Sequence, residues 1–242
     1  MSQNPTELAL INITSTAAPQ DINDVINIMS AIDAVLPDTD GLKWFNWLYL
    51  TVTRAVQSNP PAGGFNNPQW LTHLDVVFAK IYFAAVANFL SGQDVPSSWQ
   101  ALFEARHTPR IERIQFALAG MNAHINHDLA LALLQTNADL NLAPLKGGPE
   151  HQDFEHVNGI LEGVLPGTLH VLAEGGVLGQ AAENTGRVGQ LLAIWNVRKA
   201  RDIAWDFADQ LKTLGPLGRQ VALQSRDAFT GLIGRSLLLP AP

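Results

Sequence analysis

From Phe116 to Leu134 the chain reads FALAGMNAHINHDLALALL, apolar on nearly every side if helical. Only five positions are polar: Asn122, His124, Asn126, His127 and Asp128. A surface helix gathers its polar residues on one face, whereas a helix that is apolar all round lies at the centre of a fold. These five side chains are therefore expected inside, where each needs a hydrogen-bond partner or a metal. The rest of the chain must surround this helix and meet its polar groups. At about 100° per residue, His124, His127 and Asp128 share one face with Ala117 and Leu131. Asn122 and Asn126 point nearly the opposite way, beside Leu129 and Leu133.

The flanking sequence is also helical. Ile22, Val25, Ile26, Met29, Ile32 and Val35 recur every three or four residues and mark an amphipathic helix over 21–36. A second begins near Asp40 and runs through WFNWLYLTVTRAV. Asn67-Pro68 is a helix start, with Asn as N-cap and Pro in the first turn; that helix runs to about Leu90, and Gly92 ends it. A short helix follows Pro96. The central one spans about 109–136 without interruption. Another covers 150–165, and Pro166 opens a looser one to about Ala182. Thr185 to Leu214 carries Leu191, Leu192, Ile194, Trp195, Ile203, Trp205 and Phe207. The last helix covers 218–239. No period-2 strand is visible. The fold class is all-α: a compact single-domain bundle of about eight helices around a central apolar helix. Residues 1–19 read as an N-terminal arm that packs as an extended segment, and 20–242 as the helical domain.

Composition narrows the function. Hydrophobic residues make up 47% of the 242, and charged residues only 15%, against about 25% in an average domain. Such a chain either hides much of itself in a core or covers some surface in a homo-oligomer. The net charge of −7 disfavours nucleic acid, which needs a basic face. There is no cysteine, which rules out disulfides, thiolate nucleophiles and iron–sulfur clusters. No dinucleotide fingerprint or phosphate-binding loop is present, so no nucleotide cofactor is expected. With no signal peptide and no uninterrupted apolar run of about 20 residues, a cytoplasmic protein without membrane spans is expected.

His124, His127 and Asp128 form a His-x-x-His-Asp pattern. Two histidines three apart on a helix can face one ion, with the carboxylate as a further ligand or an orienting group. The ion would be one divalent metal: zinc, iron or manganese. The same residues without metal could move protons, Asp128 holding a neutral histidine as base. A third reading is a buried polar network that only fixes helix register, and the residues alone leave all three open. His151 and Glu155, four apart, are a second candidate ligand pair, although acids at a helix start also simply favour the helix dipole. Asp40, Trp44, Asn46 and Tyr49 on one helix, and Asp75 and Tyr82 on the next, are candidates for a substrate-binding wall. Arg198, Arg201, Asp202, Asp206 and Asp209 read as i,i+4 pairs on an exposed face, with no chemistry.

The string Gly120-Met121-Asn122-Ala123-His124-Ile125-Asn126-His127-Asp128-Leu129 resembles the hallmark of a bacterial family of unknown function. Asp40-Gly41 followed by Trp44-Phe45 and Tyr49, Leu74–Ala79 with Tyr82, and Pro96 with Trp99 are similar too, over roughly residues 25–165. The resemblance implies a helical fold with this string at its heart and brings no established reaction. By analogy it suggests a biosynthetic enzyme of secondary metabolism. The expected function is an enzyme acting on a small, largely apolar metabolite between helices. Its polar centre would be His124, His127 and Asp128, helped by Asn122 or Asn126. The metal-dependent form would be hydrolytic or oxygenating. The metal-free form would be a His/Asp acid–base isomerase, cyclase or lyase. The rival is a small-molecule binding protein that catalyses nothing.

Overall fold

The computed structural model describes residues 4–174 and 196–240. Among them are ten α-helices and one π turn, and no strand. In chain order these are α1 (Pro5–Ser15), α2 (Ile22–Val35), α3 (Gly41–Ser58), α4 (Pro68–Leu90), α5 (Ser97–Ala105) and α6 (Arg113–Ala123). The π turn (His124–Asp128) leads into α7 (Leu129–Asp139), followed by α8 (Pro149–Ala173), α9 (Val197–Thr213) and α10 (Pro216–Leu237). The all-α bundle expected from periodicity is what forms.

The caps explain where the helices start. Asp21 accepts from the Asp24 amide, Asp40 from that of Leu42, and Asn67 from that of Trp70, with Pro68 in the first turn. Gly92, at φ 71°, turns the chain out of α4. The expected extended arm is helical instead. Asn4 caps α1 by accepting from the Thr6 amide, Pro5 fits its first turn, and Leu10 is fully buried. Pro166 does not start a new helix but lies inside α8, because Pro166 and Glu162 both face solvent. The carbonyl that a proline leaves unbonded can there be met by water. Of the helices expected over 166–182 and 185–214, residues 175–195, including Leu191, Leu192, Ile194 and Trp195, lie outside the described residues. α4 is long and apolar enough, by length and composition, to cross a membrane. The lack of an uninterrupted apolar run did not anticipate this. Yet Asp75 and Lys80 interrupt α4, and its Trp70, Leu74, Phe78, Tyr82 and Val86 are buried in the core.

The central rod of α6, π turn and α7 packs on α3, α4, α9 and α10. A reciprocal fit sets its distance from α3. A Cβ added to Gly41 of α3 would come within 2.3 Å of the Phe116 ring of α6, and one added to Gly120 of α6 within 2.3 Å of the Phe45 ring of α3. Each glycine is the socket for the other helix's phenylalanine. Gly120→Ala should therefore overpack this contact and lower the urea-unfolding free energy by about 1–3 kcal/mol. Gly163→Ala, on an open stretch of α8 with nothing near its added Cβ, should instead raise it by roughly 0.5–1 kcal/mol.

Candidate active site around His124 and Asp128

The uninterrupted helix expected over 109–136 is broken at the residues that carry the chemistry. His124–Asp128 forms a π turn, whose i→i+5 bonding places more residues in each turn than an α-helix does. Residues three apart are thereby spread further around the axis. His124 and His127, expected on one face, part company: His124 lines a cavity, and His127 turns toward α10. The Arg226 guanidinium of α10 supports the turn, donating from Nε to the Asn126 carbonyl at 2.6 Å. Such turns are frequent at functional sites.

Asp128 is the hub. Its carboxylate is fully buried and accepts three N–H groups. His124 Nδ1 lies 3.1 Å from Oδ2, His127 Nδ1 2.8 Å from Oδ1, and Trp99 Nε1 of α5 donates to Oδ2 at 2.9 Å. Burial alone would push the Asp128 carboxyl up, but the hydrogen bonds from both imidazoles outweigh it and hold the pKa below the usual value. Asp128 is therefore an anion, and both histidines must present Nδ1–H to it. Burial pulls the His124 pKa down, against the opposing effect of Asp128, so its ring is neutral with the lone pair on Nε2. That nitrogen is buried and has no hydrogen-bond partner among the described residues. The His124 ring is clamped by Phe78, stacked at 3.5 Å with planes 5° apart, and by the Tyr49 edge at 4.6 Å.

His127 behaves oppositely. Burial lowers its pKa, but the hydrogen bond and charge of Asp128, joined by the charge of Asp227, win and raise it. Its Nε2 lies 3.8 Å from Asp227 Oδ1, and Asp227 in turn accepts the amides of Ser97 and Ser98 at the start of α5. His127 thus ties the π turn to α10 and α5. Because folding raises its pKa, protonated His127 contributes stability below about pH 6.5, the usual value. That contribution fades as the pH rises through the raised value. The stability advantage of wild type over His127→Gln should therefore shrink between pH 6 and 8 in urea titrations; an advantage that grew with pH would contradict this.

The cavity beside His124 holds about 80 Å³, where one water needs roughly 10–15 Å³. Its wall is mostly aliphatic and aromatic, including Val25, Leu48, Phe78, Val157 and Leu161. The polar exceptions are Tyr49 of α3, Asp75 of α4, His124 of the π turn and Arg201 of α9, with Thr53 bonded back to its own helix. Burial raises the Asp75 carboxyl to about 7, although Arg201 opposes the shift. Burial, with the charges of Asp75 and Asp128, also raises the Tyr49 phenol, which stays protonated. Neither the Asp75 carboxyl nor the Tyr49 hydroxyl has a hydrogen-bond partner among the described residues.

Of the remaining candidates, the structure gives several a scaffold position. Asn122 donates to the Thr230 carbonyl of α10 at 2.9 Å and accepts from Asn126 at 3.0 Å, so this pair faces α10 and not the cavity. Asp40, besides capping α3, forms a buried ion pair with Arg106 at 2.6 Å. Trp44 lies under the Arg113 guanidinium and donates to the Asp38 carbonyl. Asn46 donates to the Met29 carbonyl and accepts from the Tyr82 hydroxyl at 3.3 Å. None of these four, Tyr82 included, lines the cavity, whereas Tyr49 and Asp75 do. His151 Nε2 is 3.9 Å from Glu155, which Arg198 holds. Among the described residues no three His, Asp or Glu side chains come together so as to hold a metal ion. The arginines of α9 depart from the expected exposed i,i+4 pairs. Arg198 reaches across to Glu155 and Glu162 of α8, and Arg201 is buried. The signal was in the spacing: Val197, Arg201, Ala204, Trp205 and Ala208 form one helical stripe, so Arg201 sits among core residues.

The model of a family of unknown function, DUF5995, matches residues 22–240. The chain belongs to this family. Nothing among curated proteins or solved structures matches it.

Proposed function

We propose that this DUF5995 protein is an enzyme that moves protons on a small, largely apolar molecule, with His124 Nε2 as the general base. One observation carries the reading. A neutral imidazole, fixed by Asp128 through Nδ1, lines an apolar cavity and carries a buried Nε2 with no partner among the described residues. A base oriented by a carboxylate is the arrangement that general-base catalysis needs. A purely structural histidine would have both nitrogens satisfied.

In this reading Asp128 positions the ring and stabilises the imidazolium that forms when His124 takes a proton. Phe78 and Tyr49 fix the ring plane. Asp75, with a carboxyl near neutrality, and Tyr49 supply hydrogen-bond donors to the oxygen where charge develops. The net change is a proton taken from one substrate atom and returned to another, as in an isomerisation, a cyclisation or an elimination. His127 belongs to the scaffold. Its Nε2 faces Asp227 of α10, and His127 does not line the cavity.

The test uses cyclopentanone in D2O as a probe with weakly acidic C–H bonds, followed by NMR. Wild type should accelerate deuterium uptake over buffer, and folded His124→Ala should lose this by about 10²–10⁴-fold. Prior dialysis against EDTA should leave the rate unchanged. Uptake no faster than buffer, or unaffected by His124→Ala, would overturn the reading. Loss on chelation, restored by zinc, iron or manganese, would replace it with the metal-dependent one.

A further inference from the structure

Arg201 is a buried cation with no ion-pair partner among the described residues. It is 6% exposed and lines the cavity. Its Nε–H donates to the Asn158 side-chain carbonyl, and its guanidinium lies over the Phe154 ring at 4.2 Å. Arg201 has no other hydrogen bond and no ion pair with any described residue. A guanidinium carries five N–H donors, so the four on Nη1 and Nη2 have no partner among the described residues. Asp75, Glu155 and Asp202 are near enough to act on its charge without contacting it. Leaving a buried charge unpaired is costly, and proteins keep such a group where something else pairs with it.

The cavity says what that something is. Among the described residues its walls are apolar apart from Arg201, Tyr49, Asp75, His124 and the self-bonded Thr53, and the Arg201 Nη groups, the Tyr49 hydroxyl, the Asp75 carboxyl and His124 Nε2 have no hydrogen-bond partner there. A planar fork of paired N–H groups matches a carboxylate, which it can hold with two parallel bonds. From the unpaired guanidinium in this apolar chamber we infer that the ligand is a small carboxylic acid with an apolar body. Its carboxylate lies on Arg201 with the Tyr49 hydroxyl as a further donor, and its body rests among Leu48, Val157 and Leu161. The inference deepens the proposed function, since it takes the cavity beside His124 as the ligand site.

A carboxylate beside Asp75 is repelled when Asp75 is ionised and welcomed when it is protonated. The titratable groups that share the cavity with Asp75 are Tyr49 from α3, Arg201 from α9 and His124 from the π turn. Of these, Tyr49 stays protonated, Arg201 stays charged and His124 stays neutral. Affinity for the acid should therefore fall as the pH rises through about 7, the Asp75 value.

Calorimetric titration of the full chain with isovalerate, hexanoate and phenylacetate, each against its amide, tests the inference. At pH 6 at least one acid should bind wild type ten-fold or more tighter than its amide. Folded Arg201→Gln should lose the preference. Asp75→Asn, which leaves Arg201 in place, should keep it and bind equally at pH 6 and 8, where wild type weakens. If no acid outbinds its amide, or if Arg201→Gln retains the preference, the inference is overturned. Should Arg201→Gln fail to fold, the wild-type comparison of acid with amide and the Asp75→Asn pH profile decide. Binding is read apart from proton transfer. Acid binding without His124-dependent exchange would sink the base reading alone, and exchange without acid preference would sink this inference alone.

Discussion

The Asp128 carboxylate is fully buried at the middle of the bundle and collects three N–H groups from two elements: His124 and His127 in its own turn and Trp99 from α5. An isolated carboxylate in such a place would be prohibitively costly, and only this set of donors lets it remain ionised. Removing the acceptor would leave several buried donors unmet at once, each costing about 1–3 kcal/mol. The rest of the centre follows from keeping this anion. It fixes the tautomers of both histidines, draws α5 onto the π turn, and helps hold His127 protonated opposite Asp227, which caps α5 in turn.

The π turn gives the anion two different neighbours. In a regular helix His124 and His127 would lie close to one another in angle and compete for one environment. Here one ring enters an apolar chamber and stays neutral, while the other faces acidic Asp227 and gains a proton. Two identical side chains three residues apart thus acquire opposite character from their surroundings, a pattern found where titratable groups divide labour. The Gly41–Phe116 and Gly120–Phe45 sockets hold α3, and with it Tyr49, against this turn.

Much of the fold was legible because helices announce themselves locally. Asn67 caps α4 as expected, the helices expected from Asp21 and Asp40 do start there, and the polar string at 122–128 does lie on a buried central rod. The π turn was not legible. Nothing in the identity of five residues distinguishes i→i+4 from i→i+5 bonding, and the turn's partners Arg226 and Trp99 lie far from it along the chain. Asp40, Asn46 and Tyr82 carry polar groups suited to a ligand, but each is met by Arg106, by Met29 or by another of the three, a long-range pairing that spacing does not reveal. Arg201 is the instructive case. Reading it with Asp202 as part of a charged face overlooked that its own i−4, i+3, i+4 and i+7 neighbours are Val197, Ala204, Trp205 and Ala208.

The chemistry of the centre depends on the state of one imidazole, and ¹⁵N NMR of histidine-labelled protein, with His124 assigned by the spectrum of His124→Gln, measures it directly. The expected result is a His124 ring protonated at Nδ1 and bare at Nε2, still mostly neutral at pH 6.5, where His127 is mostly protonated. A His124 ring charged at pH 6.5, or neutral with its proton on Nε2, would mean that Asp128 does not set it as a base and would contradict the account.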